Sequence, residues 1–374
     1  DWSSDVCSSD LALGDAKQAT QAYSRAIALK PDFAQAYNNL GVIHLKAKRT
    51  ASAIDCFRRA VSLAPDFTQA RNNLRAAYRG IIPPWHFSMM DDARRNDAYE
   101  QALLRAVKGK RVLDIGTGAG LLSMIAARAG AAHVTTCETV AAIAQQARDI
   151  VAKNGLSDAI KVVAKASTEM SIGADMAARA EVLVTEVFSS GLTNEGIIPT
   201  LEHAHRELLT PDAIVIPRAG TARGYLTGGD VLHGMLFVGN VKGFDLTAFN
   251  DFAPPVLGIE LDGFPHESFS DDFDVLSFDF RSGNFPMQEQ LREVTVTRAG
   301  LCVGLTQWIR IDLDDRSSYE NRPAEKSGLS GHWTHILYRF PEALQVTPGD
   351  IVRLNVRHDR MHIDVDFVEH IRKG

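Results

Sequence analysis

Residues 111–130 read RVLDIGTGAGLLSMIAARAG, and this stretch decides the architecture. Val112, Leu113 and Ile115 make a short aliphatic run of the kind that parallel sheets bury on both faces. Gly116, Gly118 and Gly120 free the backbone for a tight turn, and helical periodicity begins at Leu121. Strand, glycine-rich turn and helix together predict the opening unit of a Rossmann-like α/β fold. A GxGxG turn alone is a weak signal, because it serves a dinucleotide as readily as another adenosine ligand.

The flanks narrow that choice. The next strand, HVTTCE (133–138), ends in Glu138, where an acidic side chain can accept both ribose hydroxyl protons. The turn lacks the third-glycine spacing that a pyrophosphate at a helix N-terminus prefers. A nucleoside without phosphates, such as S-adenosylmethionine, therefore fits better than a nicotinamide dinucleotide. Asp114, Gly116, Gly118, Gly120 and Glu138 become the candidate cofactor residues. Two further strand units follow, IKVVAKASTEM (160–170) and EVLVTE (181–186), and the second ends in Glu186 at the sheet edge where open α/β folds bind ligands.

Beyond that strand the chain continues as VFSSGLTNEG (187–196), with a second glutamate at Glu195. Nine residues apart, the two carboxylates would point to opposite sides of a helix or a strand, so only a turn can bring them together. Ser189, Ser190, Gly191, Asn194 and Gly196 supply turn chemistry. Two carboxylates in one pocket would suit a planar cation. The plain alternative is an exposed loop with two solvated glutamates.

With 374 residues, 45% apolar and 23% charged, the chain is globular and long enough for two or three domains. A net charge of −6 without a Lys/Arg run argues against nucleic acid or an anionic membrane as the main partner and accords with basic substrates. Cys7, Cys56, Cys137 and Cys302 are scattered without CxxC spacing, which suggests neither a disulfide framework nor a zinc site and fits a reducing cytoplasm. No apolar run reaches membrane-spanning length, and no signal peptide opens the chain. Residues 1–10, DWSSDVCSSD, match neither repeat nor domain and read as a non-native leader, like translated sequencing adapter.

Upstream of the α/β segment lies a repeat. KPDFAQAYNNLG, from Lys30, returns as APDFTQARNNLR, from Ala64, with a period of thirty-four residues. That period resembles the tetratricopeptide repeat, whose paired helices stack through small and aromatic positions such as Ala22, Tyr23, Ala26, Ala36, Tyr37, Ala53, Phe57 and Ala60. One and a half repeats and a capping helix from Phe67 to Tyr78 occupy residues 11–80, so the array reads as truncated. The helices either brace the next domain or present a concave face to a peptide partner. Downstream, from Thr221, the pattern turns to alternating strands such as LCVGLTQWIRIDL and IVRLNVRH, predicting a β-barrel or sandwich over 217–374. Within it, residues 238–272 are rich in Gly, Pro and Phe and predict a projecting arm. The α/β segment then spans 81–216.

WHFSMMDDARR (85–95), VLDIGTGAGLLS (112–123), CE (137–138), VTEVFSSGLTNEG (184–196) and a His-Trp pair at 332–333, in that order, resemble the protein arginine methyltransferases over roughly residues 83–370. NGLSDAIKVVAKASTEMSIG, LVTEVF and LEHAHRELL look like the branch that forms monomethylarginine, while the leading repeats suggest the repeat-bearing, symmetrically dimethylating relative. The resemblance implies an S-adenosylmethionine cofactor, an arginine-containing protein or peptide substrate, and an arm that docks on a second catalytic unit, hence a homodimer. It implies that Glu186 and Glu195 hold the substrate guanidinium, that Arg95 pairs with the cofactor carboxylate, and that His86 and Met89 line the cofactor site. Thr168 stands where many members carry an adenine-side glutamate.

By the same resemblance, His332 pairs with Asp92 to fix the helix bearing Arg95, and Trp333 walls the arginine channel, although Ser330 and Gly331 depart from the commoner pattern. Phe188 is bulky where asymmetrically dimethylating members carry Met, which favours a single methyl addition. Two empty carboxylates would repel, so one pKa should rise. Asp312, Asp314 and Asp315 form either a lure for basic substrate flanks or a solvated strand end. Three alternatives stay open: a methyltransferase for a small guanidino or amine compound, a repeat-bearing scaffold with an inactive catalytic half, and a nicotinamide oxidoreductase.

Overall fold

The computed structural model describes residues 16–79, 85–324 and 333–373. The leader, the Ile81–Pro84 linker and His332 lie outside the described residues. The chain divides into two compact units, Asp1–Phe87 with Val140–Gln146, and Ser88–Thr139 with Ala147–Gly374.

In the first unit four helices, α1 (Ala16–Leu29), α2 (Ala34–Lys46), α3 (Thr50–Leu63) and α4 (Thr68–Arg79), repeat a helix-turn-helix pattern. Ala19, Tyr23, Ala36 and Ile43 bury one cluster, and Ala53, Ile54, Phe57 and Ala77 another. Small residues are needed where helices cross closely. A Cβ at Gly41 would lie 2.5 Å from the Phe57 ring, so glycine is what allows α2 to reach α3. Asn73 donates to the buried Asn38 at 2.8 Å, tying the first helices of adjacent repeats.

After α5 (Trp85–Met90) come α6 (Ala93–Ala106) and a doubly wound sheet: β1 (Arg111–Ile115), α7 (Leu121–Arg128), β2 (His133–Cys137), α8 (Ala141–Lys153), whose first turns count with the first unit, β3 (Ile160–Val163), β4 (Ala180–Thr185), α9 (Ile197–His203) and β5 (Leu209–Ile216). The strands are all parallel in the order β3-β2-β1-β4-β5. Strand order reverses between β1 and β4, which places a crevice at their carboxyl ends. Ile115 is in register with Thr185, so the glycine turn and Glu186 leave the sheet side by side.

The chain then runs through β6 (Ala219–Gly228), α10 (Asp230–Leu236), β7 (Asn240–Val241), β8 (Phe244–Asp245), β9 (Val256–Ile259), β10 (Glu267–Ser268), β11 (Phe273–Asp279), β12 (Gln288–Thr295), β13 (Gly300–Asp312), β14 (Ser318–Glu320), β15 (His335–Val346), β16 (Ile351–His358) and β17 (Ile363–Ile371). These make a seven-stranded sheet around β6, β13 and β15, a three-stranded sheet β12-β16-β17, and the small hairpin β7-β8 in the arm. Pairing throughout is antiparallel. One continuous apolar cluster includes Tyr99 of α6, Leu113 of β1, Leu183 of β4, Leu305 of β13 and Leu354 of β16, so the parallel and antiparallel halves share a core. The arm stays apolar at its surface: Phe244, Phe249 and Phe252 are 72%, 69% and 80% exposed.

Candidate active site

The glycine turn is fastened to the end of β2. Gly116 and Thr117 both donate to the Cys137 carbonyl, at 3.1 and 3.0 Å, and Gly118 N–H donates to the Glu138 carboxylate at 3.3 Å. Gly116, Gly118 and Gly120 have φ of +90°, +49° and +84°, the left-handed region that glycine alone enters without strain. A Cβ at Gly116 would stand 2.8 Å from Val187, whereas one at Gly118 would meet nothing within 4 Å. The face over Gly118 is thus open to a ligand. A carboxylate already sits at the turn amide, which opposes a phosphate there and suits a ribose hydroxyl. This donor set fits S-adenosylmethionine.

Asp114, grouped with the cofactor residues on sequence grounds, is buried and accepts from the Ser123 hydroxyl and from Thr136 at 3.2 Å. Its contacts hold β1 to its neighbours, and burial pushes its carboxyl up to about 6. Thr168 is exposed on the 3-10 turn Ser167–Glu169. His86 falls in the helical unit, and Met89, half-buried, in the other.

Glu186 directly follows β4 with its side chain only 5% exposed, gripped by Arg95, itself 4% exposed. Arg95 Nε donates to Glu186 Oε1 at 2.9 Å, and Nη2 ion-pairs with Oε2. Arg95 Nη1 donates to Asn96 at 2.6 Å, and the guanidinium lies 5.1 Å over the Tyr99 ring. The sequence reading sent Arg95 to the cofactor carboxylate and Glu186 to the substrate; the fold joins the two to each other. Asp92 caps α6 by accepting from Arg95 N–H at 3.0 Å, and its other oxygen accepts from the Tyr319 hydroxyl at 2.6 Å. Tyr319 in turn packs edge-on against Trp333, with ring centroids 5.3 Å apart, and Trp333 lies 5.7 Å from Phe188. Trp333 and Phe188 are therefore brought together, and Trp333 is linked through Tyr319 to the Asp92 cap of α6.

Glu195 is different. Its surface is exposed, yet desolvation by neighbouring protein raises its pKa above the ordinary carboxylate value. Among the described residues it has no hydrogen-bond or ion-pair partner. The expected rise in one pKa has desolvation as its cause, not repulsion, because Arg95 neutralises Glu186. The acidic cluster offers no free lure: Asp314 pairs with Arg105 at 2.6 Å, Asp312 with Arg310 at 3.0 Å, and Asp315 with Arg218.

Tyr319, Asn96 and Tyr99 escaped the sequence reading. No local pattern marks Tyr319, which reaches the site from a three-residue strand. The Asp92 cap was legible, as an Asp placed just before a helical run.

The chain is 34% identical over 280 residues to an arginine N(omega)-methyltransferase of Streptomyces achromogenes subsp. streptozoticus, covering 74% of this chain and 77% of that protein. The chain belongs to the protein arginine N-methyltransferase family. Its reaction is arginine methylation with S-adenosylmethionine as cofactor. Protein arginine N-methyltransferase 7 of Drosophila willistoni is 31% identical and that of Gallus gallus 33%, each over 74% of this chain. The chain spans only 47% and 44% of the length of those two family members.

Family models match residues 8–67 as tetratricopeptide repeat and 97–212 as ribosomal protein L11 methyltransferase. Among solved structures, the methyltransferase fold recurs in a Trypanosoma brucei PRMT1 enzyme-prozyme heterotetrameric complex with AdoHcy, with a TM-score of 0.65, 20% identity and coverage of 78% of this chain and 95% of that one. Arabidopsis thaliana protein arginine methyltransferase 10 shares it with a TM-score of 0.60, 18% identity and coverage of 72% and 86%. No described helix of this methyltransferase is long and apolar enough to cross a membrane.

Proposed function

We propose that the chain transfers a single methyl group to a guanidino nitrogen of arginine in a protein or peptide, with Glu186 and Glu195 as the carboxylates that face the substrate. The observation that carries this reading is Glu186, a buried carboxylate at the β1/β4 switch point, paired with and oriented by Arg95. A carboxylate has about four lone-pair sites, and a fork of two N–H groups leaves the outer ones free for a second guanidinium. Glu195 supplies the open partner.

Arginine stays protonated far above neutral pH, so its nitrogens are poor nucleophiles while the charge is delocalised. Carboxylates bonded to one side of the guanidinium draw positive charge toward themselves and leave lone-pair density on the remaining nitrogen. Gly116, Gly118 and Glu138 would hold S-adenosylmethionine, which supplies a methyl group made electrophilic by the sulfonium charge. Trp333 and Phe188 exclude water and limit the room beside the nitrogen, which supports monomethylation. The exposed phenylalanines of the arm support docking of a second copy, a homodimer.

A second reading has a specific observation behind it. The Streptomyces relative is named for arginine itself and is matched over most of its length, which favours free arginine or another small guanidino compound as acceptor. Incubation with labelled S-adenosylmethionine and either an arginine-rich peptide or free arginine, followed by product mass, separates the two. Monomethylated peptide is the expected product. Labelled free arginine with unlabelled peptide would transfer the assignment to the small molecule.

A further inference from the structure

We propose that Thr193, Gln307 and Tyr338 form a buried hydrogen-bond circuit that positions Glu195. The inference rests on the reading of Glu195 as a guanidinium ligand. Because Glu195 has no partner of its own among the described residues, its place is set by the backbone that carries it. That backbone is anchored at three points.

Leu192 is fully buried with φ of +61°, and its Cδ1 would lie 2.8 Å from a Cβ built at Gly220. Thr193, also fully buried, donates its hydroxyl hydrogen to the Met361 carbonyl at 3.0 Å. The Ser190 carbonyl accepts from Gln307 Nε2 at 3.3 Å. Behind Gln307, the Tyr338 hydroxyl lies 3.1 Å from Gln307 Oε1 and 2.9 Å from the Ile363 carbonyl. Both are acceptors, so the tyrosine shares its single proton between them. This fixes the amide: the opposite orientation would set its oxygen against the Ser190 carbonyl.

Met361, in the turn before β17, is two residues from Ile363, the first residue of that strand, so the circuit closes on itself through Ser190, Gln307, Tyr338, Ile363, Met361 and Thr193. Arg360, at φ of +82° in the same turn, adds an ion pair to Glu202 on α9, the helix that starts directly after Glu195 and Gly196. Gln307 is fully buried and Tyr338 nearly so. In that setting a slipped loop would leave buried polar groups unsatisfied, so one loop position is strongly favoured. Glu186, at the other end of the loop, is held separately by Arg95. Loss of the circuit should therefore impair use of the arginine acceptor and spare donor binding.

The test uses the full chain with the near-isosteric variants Thr193→Val and Gln307→Met. Initial rates are measured with an arginine-rich peptide, S-adenosylmethionine affinity by calorimetry, and folding by thermal melting. Expected is a fall in kcat/KM for the peptide of about tenfold or more, the scale of a sub-ångström misplacement, with donor affinity unchanged. Thr193→Ser, which keeps the hydroxyl, should restore the rate. Folded variants with wild-type kcat/KM would overturn the proposal. So would variants that lose donor binding and melting temperature together, since the contacts would then serve the fold alone. A wild-type chain that methylates no arginine acceptor overturns the functional reading itself, and this inference with it.

Discussion

Arg95 and Glu186, ninety-one residues apart in sequence, form a two-pronged ion pair in which neither side chain is more than 5% exposed. Such a pair stabilises only while both charges are present, because an unpartnered buried charge is costly. Glu186→Gln should abolish methyl transfer and lower unfolding free energy by on the order of 3 kcal/mol. Turnover with labelled donor and urea denaturation check both effects. A variant with wild-type turnover would remove Glu186 from the mechanism.

The Tyr319–Asp92 bond is expected to matter for activity at a distance from any substrate. Asp92 caps the helix whose first turn carries Arg95, and the Tyr319 hydroxyl holds the other Asp92 oxygen at 2.6 Å. Tyr319→Phe should cost about 2 kcal/mol, as for a hydrogen bond to a charged group, and reduce turnover without abolishing it. Denaturation and steady-state rates test this, and Asp92→Asn should resemble it.

Acidity offers a third check. Glu195 must be ionised to hold a cation, and desolvation raises its pKa above the ordinary 4.5. The acid limb of kcat/KM against pH should therefore lie above that value. In Glu195→Gln the residual activity should lose this limb.

Asp114 makes a separate prediction about stability. Its folded pKa, about 6, is raised above the ordinary 3.8, so between those values the folded state binds more protons than the unfolded one. The Asp114 contribution therefore falls as pH rises from about 4 to about 6, by roughly 3 kcal/mol, and is flat above that. Unfolding free energies of wild type minus those of Asp114→Asn, measured across this range, should decline with pH. A rising difference would contradict the burial of this carboxyl.

Phe188 packs against Trp333, with ring centroids 5.7 Å apart, and is 2% exposed; on the proposed reading it narrows the space beside the substrate nitrogen. The wild-type product should be monomethylarginine. Phe188→Met, with a slimmer and more flexible side chain, should add dimethylarginine, visible by mass spectrometry. Dimethylarginine from the wild-type chain would defeat the steric account.

The sequence alone determined the repeat helices, the strand-turn-helix of the cofactor half and the change to alternating strands after Thr221, because each is written in short-range periodicity and in where glycine is required. It also marked Glu138, Glu186 and Glu195 as acidic groups at turn or strand ends. Only the tertiary structure decided what those groups touch. Arg95 meets Glu186, Tyr319 meets Asp92 and Gln307 meets Ser190 across separations of 91, 227 and 117 residues. Such contacts follow from strand register and from how two halves of one core pack, and buried charges and amides accept whichever partner that packing brings within reach.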